Sequence, residues 1–390
     1  MLKHLKVFFS FRKTVAVGIA FFLLGFLFGN WATLIPYVKY HYELDDAQLG
    51  LILLCLPMGA MSFNPFASVL IQSFGLLKIT VIGMFLLCIA YAIPIGLNNI
   101  YILPFSLVFV GIAMTTLNIS ANTTATTLER LYDINIMSTC HGMFSIGLMV
   151  GSLMRSVTLI WSIHESTHMY IMSIIGLILT WSVMSTIMNI PIEKLPLKKV
   201  LSNKKWVLII PKGALLNIVI ISLCINMTEG AMTDWTSVYM KDIVHSSPYF
   251  VGWGLFGYSF FMALGRFFGD GIIPLYGKNS VLVYGSFLSI VGLFIVIFFP
   301  FTVSTIIGFG CIGLGVSCGA PILYGSASRY PDLPDSGGLA VMNTFAMGGF
   351  LIGPVIIGFI SEITSLPIAF GFVGLLTLVW MVQAKYVKLY

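Results

Sequence analysis

The chain is a succession of long apolar runs separated by short polar breaks. Cut at those breaks, it yields segments near 14–38, 48–72, 77–97, 100–127, 137–161, 167–190, 207–240, 248–271, 279–299, 302–328, 337–361 and 366–386. Each reaches the roughly 20 residues a helix needs to cross bilayer hydrocarbon. No strand-length alternation runs through them, so a bundle of helices is the spanning option left. One long polar break, PIEKLPLKKVLSNKKW, interrupts the series after the sixth segment; the other loops are short, which suits antiparallel neighbours. The pattern predicts an N-terminal six-helix half at 1–190, a cytosolic linker at 191–206 and a C-terminal six-helix half at 207–390.

Composition agrees with an all-α integral membrane protein. Of 390 residues, 58% are hydrophobic and 9% charged, with a mean hydropathy of +1.00; a soluble domain carries about 25% charged residues. The basic start MLKHLKVFFSFRK leads into an apolar run too long for a signal peptide and reads as a cytosolic entry to the first span. With that start inside, seventeen of the 20 Lys and Arg fall on the inner side, Arg266 being placed at the inner end of span eight, while Lys39, Arg155 and Lys241 lie outside. The bias predicts that both termini and the central loop are cytosolic. The net charge of +6 is then a topology signal and not a nucleic-acid footprint. The six Cys lie in apolar segments without a CxxC pair, so neither a disulfide framework nor a zinc site is expected.

The two halves repeat. Residues 49–83 align without gaps to 251–285, placing Gly50 on Gly252, Phe74-Gly75 on Tyr276-Gly277 and Gly83 on Gly285. The same offset sets His141 on Asn343, Gly147 on Gly349 and Gly151 on Gly353; Arg130 and Asp133 correspond to Arg329 and Asp332. In the first span of each half, Asn30-Trp31 stands where Asp234-Trp235 stands. Two pseudo-symmetric six-helix bundles joined by a cytosolic loop follow from this pattern.

With these features the chain resembles the major facilitator superfamily over essentially its whole length. The EGxxxDW pattern at Glu229, Gly230, Asp234 and Trp235 is similar to the seventh-span signature of the fucose-permease-like branch. So are NWATLIP (30–36), HGMFSIG (141–147), the Gly-Arg step at Arg266 and GxxxGP (349–354). The resemblance implies a secondary transporter working by alternating access. Two departures qualify it. Ser68, Gln72, Ser73, Gly75, Leu76 and Leu77 occupy the superfamily's charged loop between spans two and three, so only its glycine survives. Asn118 stands where the fourth span of this branch often carries a proton-coupling Glu.

Polar groups within spans are expensive and so mark candidate sites. Helical spacing puts Ser222, Asn226, Glu229 and Thr233 on one stripe of span seven, flanked by Asp234, and Thr115, Asn118, Asn122 and Thr126 on one face of span four. Span five aligns His141, Ser145, Ser152 and Arg155. The hydroxyls are equally expected to bond their own backbone or a neighbouring helix. Glu229 is the leading proton-coupling carboxylate. Asp234 is either a second one or a structural ion-pair partner of Lys241 or Arg155. His141 either packs with hydrogen bonds or moves protons. Asn30, Trp31, Asn118, Asn122, Asn226, Trp235 and Asn343 are candidate solute contacts, although both Trp also suit an interfacial belt. Arg266 and Asp270, spaced i, i+4, form either a surface pair or an inner-gate latch, and Arg130 is a further gating candidate.

The expected function is secondary transport of a small polar solute, sugar-like or another neutral or zwitterionic metabolite, with protons as coupling ion. The expected setting is an inner or plasma membrane, the chain acting as a monomer in the lipid bilayer with no nucleic-acid partner. A proton-driven exporter and a transport-inactive receptor of the same fold are the alternatives. No nucleotide-binding loop, metal-ligand spacing or nucleophile–base pair is legible, so no cofactor and no enzymatic activity are expected.

Overall fold

The computed structural model describes residues 3–97, 99–191, 211–330 and 337–389. Residues 192–206 of the central linker and Asp332 therefore lie outside the described residues. A short helix, α1 (Lys3–Ser10), precedes the bundle. Spans one to six are α2 (Arg12–His41), α3 (Asp46–Phe74), α4 (Leu76–Gly96), α5 (Leu103–Tyr132), α6 (Met137–Ile160) and α7 (Glu165–Met188). Spans seven to nine are α8 (Ala214–Asp242), α9 (Trp253–Tyr276) and α10 (Lys278–Phe298). Span ten is broken into α11 (Thr302–Val316) and α12 (Gly319–Ala327), and α13 (Gly337–Ile363) and α14 (Leu366–Tyr386) complete the set. Eleven spans are long and apolar enough to cross a membrane; α9, at 24 residues, makes the twelfth. The expected all-α membrane architecture is thus observed. The break in span ten departs from the single helix expected; Ser317 there donates its Oγ to the Leu314 carbonyl at 2.7 Å, and Gly/Ser steps are common places for a helix to bend.

Local chemistry sets the helix ends. Asp45 accepts from the Gln48 backbone N–H at 2.7 Å while Gln48 accepts from that of Asp45 at 3.2 Å, a reciprocal cap that starts α3. Glu129, in the last turn of α5, accepts from the backbone N–H groups of Ile136 and Met137 at 2.7 and 2.9 Å, capping α6.

The internal repeat is visible in the backbone. Gly75 joins α3 to α4 at φ 91° and ψ 142°, and its repeat partner Gly277 joins α9 to α10 at φ 81° and ψ 152°. Side chains are excluded from this region by their own backbone, which explains why the glycine survives in a loop that has lost its charges. A Cβ at either position would meet no neighbouring atom, so the penalty for Ala is purely conformational. Gly75→Ala and Gly277→Ala are each expected to cost about 1–3 kcal/mol, read as a lower melting temperature of the purified protein.

Helices cross closely where small residues meet. Gly25 and Gly29 of α2 face the carbonyls of Phe144 and Leu148, while Gly147 and Gly151 of α6 face those of Phe22 and Phe26. The two small-xxx-small stripes interlock. Between the halves, α2 packs on α8, α3 on α13 and α6 on α9. Most interior hydroxyls are spent locally, as with Thr116, Ser120, Thr124 and Thr126, each bonded to the carbonyl four residues earlier. Others bridge helices: Thr115 donates to the Ala60 carbonyl at 3.1 Å, and Thr80 and Thr124 meet at 3.1 Å.

Candidate functional site

Glu229 sits midway along α8, between Ala214 and Asp242. Its partner is Arg266. The α9 helix continues to Tyr276, so Arg266 lies about 15 Å from that end. This corrects its expected position at the end of the span. The bend signals Gly269, Gly271 and Pro274 suggest an early exit, yet the helix runs through them. An Arg266 Nη atom approaches Glu229 Oε1 at 3.6 Å, with only 11% and 14% of the two side chains exposed. The other Nη donates to Ser145 Oγ at 2.8 Å, and Ser138 Oγ donates to the Arg266 carbonyl at 3.1 Å. Arg266 thus ties the carboxylate of its own half to α6 of the other half. The pair is loose: 3.6 Å exceeds hydrogen-bond length, and Glu229 Oε1 is buried with no hydrogen-bond partner among the described residues. The Asp270 side chain lies outside the described residues.

Two tyrosines complete this layer. Tyr258, two helical turns from Arg266 on α9, is fully buried, and its hydroxyl has no hydrogen-bond partner among the described residues. Tyr324 feels the charge of Glu229 and donates to Asn343 Oδ1 at 2.8 Å. Neither tyrosine was singled out in the sequence; the aromatic content of 14% masks them.

Asp234 lies about 7–8 Å farther along α8. It lines a cavity of about 50 Å³ between the halves with Phe28, Trp31, Leu53, Leu56, Pro57, Leu107, Thr233 and Phe350. Neither expected ion-pair partner reaches it. Arg155 is held by Glu165 and by the Ile163 carbonyl, and Lys241 lies over the Tyr40 ring at 3.7 Å.

Beyond this cavity, at the end of the bundle opposite the N-terminus, a polar cluster joins the halves. Lys39 Nζ is 2.6 Å from Asp46 and 2.7 Å from Asp242. Tyr40 donates to Asp242 at 2.6 Å, Ser361 donates to Asp46, and the Asp46 backbone N–H donates to Glu362 at 3.0 Å. Four spans, α2, α3, α8 and α13, are thereby pinned together. Sequence reasoning missed this cluster, using Lys39 only to orient the chain. The signal available was the gathering of Lys39, Asp45, Asp46, Lys241 and Asp242 at the ends of equivalent spans in a chain with so few charges.

The remaining candidates divide. Trp31 lines the cavity, whereas its repeat partner Trp235 is fully buried against Gly358 of α13. Asn30 is fully buried and donates to the Phe26 carbonyl at 2.7 Å, with no partner for Oδ1 among the described residues. Asn122 and Asn226 likewise bond the carbonyls of Asn118 and Ser222, at 2.8 and 2.7 Å. Asn118 is exposed. His141 is exposed near the start of α6, edge-on to Phe21 at 5.4 Å, and its ring has no hydrogen bond to a described residue. Arg130 is exposed in the last turn of α5.

The chain is similar throughout its length to known transporters. The sequence profile of the Major Facilitator Superfamily matches residues 17–337 and 239–389. An uncharacterised MFS-type transporter of Yersinia pestis is 31% identical, the match covering 96% of this chain and 95% of that one. The membrane protein MosC of Rhizobium meliloti is 27% identical over 92% of this chain and 86% of its own. Among solved structures, the nucleoside transporter NupG aligns over 96% of this chain and 99% of its own with a TM-score of 0.70 at 16% identity. The transporter FucP in its outward conformation gives a TM-score of 0.61 at 16% identity, over 96% of this chain and 98% of its own. Fold, internal repeat and sequence agree: the chain belongs to the Major Facilitator Superfamily.

Proposed function

We propose that this protein is a proton-coupled secondary transporter of a small polar solute, sitting in a bacterial inner membrane as a monomer with both termini cytosolic. The observation that carries the reading is the Glu229–Arg266–Ser145 contact, an ionisable link made across the two halves at mid-depth. Orientation by Lys and Arg makes the Lys39 cluster the external end, so this conformation is closed outside. Solute and protons would then enter and leave from the cytosolic side, past exposed His141 and Asn118.

A proton reaching Glu229 removes the charge that holds Arg266. The guanidinium then keeps only Ser145 as a described side-chain partner, and the contact between α8, α9 and α6 rearranges. Deprotonation restores it. Such a link changes strength as the halves rock, which is what coupling requires. Arg130 gates the inner side in this scheme, while Arg266 links the halves at mid-depth. Tyr324 and Asn343 supply neutral hydrogen-bonding groups for a sugar-like or zwitterionic solute, and the likeness to a nucleoside transporter fits a solute of that size.

The test is a melting-temperature screen of the purified protein against sugars, nucleosides, amino acids and organic acids, followed by uptake of each hit into proteoliposomes. A hit that accumulates under an inward proton gradient, and fails to do so with a protonophore, is the expected result. Hits that stabilise the protein but never cross the membrane would make it a receptor.

A further inference from the structure

The cavity beside Asp234 has a chemistry of its own. Among the described residues Asp234 has no ion-pair and no hydrogen-bond partner, although it is only partly exposed and lines a cavity within the bundle. The other carboxylates near the interface are all engaged. Glu229 faces Arg266, Asp46 and Asp242 share Lys39, Glu165 holds Arg155 and Glu129 caps α6. An unpaired carboxylate away from water is costly until something neutralises it.

The walls say what that something is. Phe28, Trp31 and Phe350 line the same cavity as the carboxylate, and the other lining residues are aliphatic except Thr233. The Thr233 hydroxyl donates to the carbonyls of Glu229 and Gly230 at 3.0 Å, leaving its oxygen as an acceptor. A metal cation such as Ca²⁺ or Mg²⁺ would need about six oxygen ligands, and the lining offers far fewer. An ammonium group is satisfied by one carboxylate, one hydroxyl and π faces. Pockets that take a whole small molecule run to about 300–1,000 Å³; at about 50 Å³ this cavity admits a terminal group of a solute.

We propose that the Asp234 cavity binds the protonated primary amino group of the transported solute, with Trp31, Phe28 and Phe350 as its aromatic walls. The solute class is thereby narrowed to amino-bearing polar metabolites, and the inference rests on the transporter reading above. The unpaired carboxylate is then the partner reserved for the solute, while Glu229 serves the proton.

The experiment uses the full-length protein in lipid nanodiscs, with ethylammonium chloride against ethanol plus sodium chloride, and glucosamine against glucose. Thermal stabilisation by the two amines but not by their hydroxyl counterparts is expected. Asp234→Asn should weaken amine binding on the order of tenfold or more. Phe350→Leu, which keeps the carboxylate, should weaken it several-fold and guards against a misfolded Asp234→Asn. Equal stabilisation by amine and hydroxyl probes, no stabilisation by either amine, or an unchanged amine preference in Asp234→Asn would each overturn the inference. Flux separates the two proposals. Uphill uptake of a solute without an amino group leaves the transporter standing and removes this inference; site-specific amine binding without any flux does the reverse.

Discussion

Glu229→Gln is expected to abolish accumulation of solute against a gradient while leaving solute exchange across the membrane. Exchange needs only that the loaded protein rock between its two openings; accumulation needs a proton to be carried with the solute. The substitution also strips Arg266 of its counter-charge at a site where about a tenth of each side chain is exposed. Breaking a buried pair from one side typically costs about 3–5 kcal/mol, because the remaining charge stays desolvated. A marked fall in melting temperature should therefore accompany the loss of accumulation. The double variant Glu229→Gln/Arg266→Gln should recover much of the stability and none of the accumulation. Melting temperatures of the three variants, with paired uptake and exchange assays, check both halves of the expectation.

Lys39→Ala should open the external end. Lys39 stands between Asp46 and Asp242, carboxylates from different halves, and removing it turns a clamp into a repulsion. Charge-assisted hydrogen bonds contribute about 1.5–3 kcal/mol each, so the ratio of closed to open forms should fall on the order of tenfold or more. Lys241, whose Nζ lies over Tyr40, offsets part of the loss without bridging the same two carboxylates. Spin labels at exposed Glu43 and His245, on the loops that follow α2 and α8, report the change. The wild type should give one short distance and the variant a second, longer one. Raising salt should move the wild type in the same direction only weakly, since the cluster is partly buried and poorly screened.

Much of the architecture was legible because one rule, apolar length against polar break, governs every span in a bilayer. The repeat went further and paired Gly75 with Gly277, whose matching backbone needs no side chain. What escaped was long-range. Arg266 and Glu229 stand on different helices, and the Gly and Pro residues of α9 hid the fact that Arg266 is at mid-depth. Helical spacing sets asparagines on a common face, yet it cannot tell an amide free for a solute from one spent on a carbonyl four residues back, as in Asn30, Asn122 and Asn226. Symmetry misled once: Trp31 and Trp235 are equivalent in sequence, but one lines the cavity and the other packs against Gly358. The acid at Glu229 has no counterpart in α2, where Phe26 and Gly25 stand near the equivalent place, and it is this unmatched acid that Arg266 meets in the fold.

The central claim is that proton movement and solute movement are linked through Glu229. Proteoliposomes holding a trapped pH-sensitive dye test it when an identified solute is added without any imposed gradient. For the wild type, internal acidification should follow solute entry, and Glu229→Gln should take up solute to equilibrium with no change in dye signal. Solute entry without acidification in the wild type, or full acidification in Glu229→Gln, would contradict the account.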